Sequence, residues 1–226
     1  MTQVTEKPLN VAALLIDSLI ASNRGDRNAF SFAEKRYSYQ DVAALMNRAG
    51  NMIKALGVGR DAAVLVLLPG SPAFVASLLG AMKAGAMPVL GLSPGDAHAL
   101  QACVAACKPS LVVIHQNDLA TASGSLVGVA ADAIVVVGGE GKDHRSFVDE
   151  IRGQSSWLSA EAVNGNAAAL AVWAGSAMQK ISHAELFALV GPGDPGKSRG
   201  ATLPTQAVAA IAMLRTFATG ETATLP

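Results

Sequence analysis

The sequence predicts an α/β fold: a mostly parallel sheet flanked by helices on both faces, with a short N-terminal β-hairpin. Two observations carry this. Short continuous apolar runs recur at 62–68 (AAVLVLL), 87–92 (MPVLGL), 110–115 (SLVVIH), 132–139 (DAIVVVGG) and 167–174 (AAALAVWA). Strands apolar on every residue are those of a parallel sheet covered on each side. Between them lie segments apolar at helical spacing, the alternation of an α/β domain.

Each element has a local reason. Asn10 is placed to cap a helix through VAALLIDSLIASN, which Asn23-Arg24-Gly25-Asp26 ends. AFSF and RYSY, joined through Ala33-Glu34-Lys35, read as the hairpin. Ser38 and Asp41 have capping-box spacing, opening a helix that Gly57 stops. Pro69-Gly70-Ser71-Pro72 turns the first buried strand into the helix PAFVASLLGAMKA. Ser93, with Pro94 at the first helical position and Asp96 in the first turn, opens a helix through ALQACVAACK, whose Cys103 and Cys107 share one buried face. HRSFVDEIRG and SHAELFALV are further helices. A helix over 205–218 follows, and ETATLP is read as a last strand. The reading is a single domain over 1–226, with a flexible Gly/Pro-rich loop over 190–204.

Composition excludes several classes. Seventeen basic and 17 acidic residues give zero net charge, so no electrostatic footprint for nucleic acid is expected. The mean hydropathy is high, +0.36, and 43 residues are alanine. The longest uncharged stretch, 62–82, is broken by the Pro69–Pro72 turn into pieces too short to cross ~30 Å of hydrocarbon, so no membrane span is expected. Two cysteines give no disulfide framework, and the N-terminus has no signal layout. A cytoplasmic protein without a metal site is the expectation.

Residues 38–86 are more specific. Tyr39, Asn47, Arg48, Ala49, Leu56, Gly57, Val58, Pro72, Phe74, Lys83, Ala84, Gly85 and Ala86 fall in an order that resembles the N-terminal region of the adenylate-forming acyl- and aryl-CoA synthetases, nearest the benzoate-CoA-ligase-like branch. The resemblance runs over roughly 9–190 and is strongest to about 115. It implies the fold of that family's N-terminal subdomain. It also implies a two-step reaction: a carboxylate attacks the α-phosphate of ATP, and a thiol, usually that of coenzyme A, then displaces AMP. That chemistry needs a polyphosphate cradle, Mg²⁺ and a cation near the developing charge.

The family builds its cradle from a loop of the form Y-T-S-G-T-T-G-x-P-K-G after a strand, followed by a helix that starts near a Ser/Thr-His pair. Here Trp173 stands at the aromatic position and Ser182-His183 at the helix start. The loop between them is several residues shorter. Its paired threonines, second glycine and P-K-G ending are absent, and Ala177 and Met178 offer no hydroxyl. Gly175, Ser176 and Lys180 remain as cofactor-binding candidates, a degenerate phosphate-loop remnant within what reads as an ordinary strand-to-helix connection.

A second glycine motif, Gly191-Pro192-Gly193-Asp194-Pro195-Gly196-Lys197-Ser198, matches Walker A spacing. In a P-loop, Gly191 and Gly196 would cradle phosphates, Lys197 bind them and Ser198 hold Mg²⁺. The context opposes this. SHAELFALV before it reads as helix rather than strand, and Pro204 interrupts the place of the anion-binding helix. The four histidines lie on separate elements, and Ser71 has no identifiable base, so no catalytic residue is assigned.

The resemblance implies a family chain more than twice this length. Its later parts supply the adenine pocket, the magnesium motif, the ribose-binding aspartate and the catalytic lysine. The expectation is therefore a truncated, catalytically incomplete relative, a binding or interaction module rather than an autonomous enzyme. No cofactor is expected, with ATP/Mg²⁺ and CoA entering only if ligase activity is retained. The alternatives are a subunit of a split acyl-/aryl-CoA ligase and a small P-loop protein. High hydropathy adds the expectation of a homodimer or a protein partner that covers apolar surface.

Overall fold

The computed structural model describes residues 9–139, 143–191 and 205–226. Helix α1 (Val11–Ala21) leads into a separate hairpin of β1 (Asn28–Phe32) and β2 (Lys35–Ser38). Ala33 and Glu34, both at positive φ, form its tight turn. Then come α2 (Tyr39–Ala55), β3 (Ala63–Leu67), α3 (Pro72–Lys83), β4 (Met87–Leu90), α4 (Ala97–Cys107), β5 (Leu111–His115) and α5 (Gln116–Ala122). The chain continues through β6 (Ile134–Val137), β7 (Arg145–Ser146), α6 (Phe147–Arg152), β8 (Ala168–Ala174), β9 (Ala177–Ser182), α7 (His183–Val190) and α8 (Thr205–Thr219).

The main sheet has seven strands in the order β7-β6-β5-β3-β4-β8-β9. All neighbours are parallel except the antiparallel β8–β9 pair. Strand period divides its side chains between two apolar cores. Val64 and Val66 face a core built with α1, α2, α3, α7 and α8. Leu65 and Leu67 face a second one, covered by α4 and α5. The α/β class, the covered parallel sheet and the hairpin are those the sequence predicts.

The expected caps form. Asn10 Oδ1 accepts from Ala13 N–H, while its Nδ2 donates to the carbonyls of Met82, Lys83 and Glu161. Ser38 and Asp41 make the full capping box. Gly57, at φ 78°, follows α2. Packing of α2 on α3 is close: a Cβ on Gly80 would lie 2.8 Å from Gly50 N and 2.9 Å from Met46 O. Among the described residues, no helix is long and apolar enough to cross a membrane.

Four details differ from the sequence reading. Helix α4 starts three residues later than Ser93-Pro94 suggests. Asp96 is its N-cap, accepting from Ala99 N–H, and Ser93 to Asp96 close a turn instead. ETATLP is not a strand; Ala223 makes one isolated bridge to Phe30. Two short elements, α5 and the two-residue edge strand β7, are additional. The connection from β8 to α7 is itself a strand, β9, and this bears on the site.

Candidate functional site

Residues 173–183, which the sequence resemblance sets against the family's phosphate loop, form the β8–β9 hairpin and the start of α7. β8 is buried from Ala169 to Trp173, between β4 and β9. The chain reverses through two residues, Gly175 and Ser176, and Ala177 pairs with Ala174 across the turn. Gly175 has φ 68°, a conformation that favours glycine at the first central position of such a turn. Ser176 N–H donates to Ala174 O at 2.8 Å. Trp173, 4% exposed, donates its indole N–H to Gly175 O at 3.1 Å. The aromatic side chain thus braces the turn.

A phosphate cradle requires several backbone N–H groups converging on one open concavity. This turn has two residues, one amide is already bonded, and a Cβ on Gly175 would meet nothing within 4 Å. Lys180 is exposed on β9, in register with Ala171 rather than with the turn. It is four residues beyond Ser176, roughly 13 Å along an extended strand. It lines a shallow cavity of about 320 Å³ with Asp61, Asn166, Ser182 and Glu185. The structure therefore keeps Gly175 and Ser176 together and sets Lys180 apart.

The start of α7 is also occupied. Ser182 is the N-cap, and the Glu185 carboxylate accepts from both the Ser182 N–H and its hydroxyl at 2.8 Å. Those two bonds hold the Glu185 carboxyl below its ordinary value. The positive end of the helix already has an anion, supplied by the protein. His183 beside it is 1% exposed, and its Nδ1 accepts the Val11 N–H, the first amide of α1, at 3.2 Å. Burial pulls its pKa down from 6.5 to about 4, against the raising effect of Asp61. This imidazole is a structural acceptor. Sequence reasoning marked the Ser182-His183 pair but could not place α1 against it.

The Walker A-like motif begins where a helix ends. Gly191 terminates α7, with its N–H on Phe187 O at 2.7 Å, so a helix and not a strand precedes the motif. Gly196, Lys197 and Ser198 lie outside the described residues. No group of three or more His, Cys, Asp or Glu suited to a metal ion occurs among the described residues. A larger cleft of about 630 Å³ lies beside α4, lined in part by Gln101, Val104, Lys108, Ser125 and Val127. Its polar side chains are partly spent: Gln101 donates to Gly124 O and Ser125 to Ala97 O.

The family model described as "AMP-binding enzyme" matches residues 19–174. A 3-hydroxybenzoate–CoA ligase of Aromatoleum sp. (strain CIB) is 32% identical over 158 residues, covering 68% of this chain and 29% of the ligase. A 3-hydroxybenzoate–CoA/4-hydroxybenzoate–CoA ligase of Thauera aromatica is 35% identical over 94 residues, covering 40% of this chain and 18% of the ligase. The matched segments thus span under a third of these curated relatives. An acyl-CoA synthetase from Brucella canis has the same fold over 97% of this chain and 43% of its own, with TM-score 0.77 and 18% identity.

Proposed function

Because the chain belongs to the AMP-binding enzyme family, we propose that it is an acyl-/aryl-CoA synthetase-like module that does not itself adenylate a carboxylic acid. Its role on this reading is binding or interaction. One observation supports the proposal: residues 173–183, which the sequence resemblance sets against the family's polyphosphate cradle, turn through a two-residue hairpin. Adenylation depends on preorganised donors aimed at the charge that develops on the transferring phosphate. Here the Ser176 amide is bonded to Ala174 O, Lys180 sits well along β9, and the start of α7 holds Glu185. The residues present do not fit ATP triphosphate with Mg²⁺.

The test is acid-dependent exchange of labelled pyrophosphate into ATP. Benzoate, 3-hydroxybenzoate and 4-hydroxybenzoate serve as acids, because the similar ligases act on such compounds by name. The purified chain is expected to give no exchange above an acid-free blank. Exchange that depends on one of these acids refutes the proposal.

A second reading is a subunit of a two-chain ligase, favoured by the 32% identity to a ligase over 158 residues. It requires exchange that appears only when a second chain carrying the family's later motifs is added. Continued silence in that mixture removes it.

A further inference from the structure

Cys103 and Cys107 are both free, and their Sγ atoms lie 3.9 Å apart. Cys103 is fully buried, in the apolar cluster that also holds Met87 and Trp173. Cys107 is half-buried at its edge, and it is the last residue of α4. Lys108 follows in the left-handed region at φ 44°, with its N–H on Val104 O. The pair is therefore placed at a helix terminus, between solvent and core.

A disulfide needs an S–S distance of ~2.05 Å and Cβ atoms about 3.5–4.5 Å apart. Residues one turn apart on a regular helix hold their Cβ atoms about 5–6 Å apart. In mid-helix that gap is a barrier. At Cys107 only the terminal residue has to leave helical geometry, at the cost of the Lys108–Val104 hydrogen bond. The product is neutral, so it places no charge in the apolar cluster.

We propose that Cys103 and Cys107 form a reversible intrahelical thiol–disulfide couple at the end of α4, oxidised by small-molecule disulfides of the glutathione class. A hydrogen bond from Cys103 holds the more accessible Cys107 thiol below its ordinary range, while that bond and burial push Cys103 above it. Cys107, the more accessible of the two thiols, is the attacking group. Its thiolate attacks one sulfur of oxidised glutathione and expels a glutathione thiolate, which takes the proton Cys107 released. Cys103 then attacks Cys107 Sγ and expels the second glutathione thiolate, which takes the Cys103 proton. Two protein thiols lose two electrons and two protons, and oxidised glutathione becomes two thiols.

The chain is equilibrated with defined mixtures of reduced and oxidised glutathione and followed by intact mass and non-reducing gels. The expected product is a monomer two hydrogens lighter, without attached glutathione, and restored by dithiothreitol. Cys103→Ser is expected to stop at one glutathione adduct on Cys107. Cys107→Ser is expected to remain unmodified, because Cys103 is buried. The proposal is overturned if the wild-type chain itself stops at the single adduct, if covalent dimers are the main oxidised product, or if both thiols survive in oxidised glutathione alone.

Discussion

Acidification should destabilise this protein through His183, in a pH range where carboxylates contribute little. The side chain is 1% exposed, and its Nδ1 accepts the first N–H of α1. Protonation would put a second donor against Val11 N–H and a charge into a buried position, so the folded state resists it. The unfolded chain binds that proton near pH 6.5 and the folded chain only near pH 4. Between those values the unfolded state holds more protons, so stability falls as pH falls. The contribution is fully present above pH 6.5 and is lost on the way down to pH 4. A displacement from 6.5 to about 4 corresponds to about 3 kcal/mol. That is a large part of the ~5–15 kcal/mol by which domains are stable.

Urea unfolding followed by tryptophan fluorescence, from pH 7.5 down to about 4.5, measures this directly, since Trp173 is 4% exposed and reports the core. Glu161 and Glu185 also have lowered pKa values, but their ordinary value is 4.5 and their losses fall below the measured range. His183→Asn keeps an acceptor near the position of Nδ1 and does not titrate. It should be less stable at pH 7.5, by about 1–3 kcal/mol for the lost ring volume. Its stability should then be nearly flat down to pH 4.5. Parallel stability–pH curves for wild type and variant would refute the argument, because the acid loss would then belong to other groups.

Two further substitutions probe the packing around the site. Gly80→Ala should destabilise by about 2 kcal/mol or more in urea unfolding, since its Cβ meets backbone at 2.8 and 2.9 Å; Gly59→Ala, with nothing within 4 Å, should be near neutral. Asp17→Ala should cost about 2–3 kcal/mol by the same assay, because Lys83, whose side chain is 3% exposed, loses its partner at 2.7 Å. Adding Lys83→Met should recover most of that loss, and a double variant as unstable as the single one would contradict it.

The sequence was most legible where local chemistry and burial agree. β3, β4 and β5 are apolar on nearly every residue because both sheet faces are covered, and the caps at Asn10 and Ser38 are read from the chain alone. β9 was not legible. Four of the six residues of AMQKIS are exposed or polar, and the strand exists because β8 offers it a ladder on one edge. Its ladder partner, not its own periodicity, sets its structure. Ser93 and Pro94 suggested a helix start that Asp96 and Ala97 supply instead, three residues later. At the site, the two-residue turn between β8 and β9 was not legible. Nor could the role of His183 be read, since its partner Val11 is 172 positions away.

The contacts around α7 argue that this end of the molecule is committed to structure. His183 holds the first amide of α1, and Asn10, the cap of that helix, holds the carbonyls of Met82 and Lys83 at the end of α3. Lys83 returns to Asp17 on α1. α3 is buried from Phe74 to Lys83, so it must be apolar on every side. Much of the hydropathy of 62–82 resides in it. Its 12 residues span roughly 18 Å, well short of a bilayer core of ~30 Å. At least 15 of the 43 alanines are buried, among them Ala49 and Ala76 on α2 and α3, where small side chains permit close helix approach. A loop that opened at 175–182 to receive a polyphosphate would pull on Ser182 and His183, and through them on α1 and α3. Nucleotide binding at this hairpin would therefore have to overcome the packing of the core as well as the shortness of the turn.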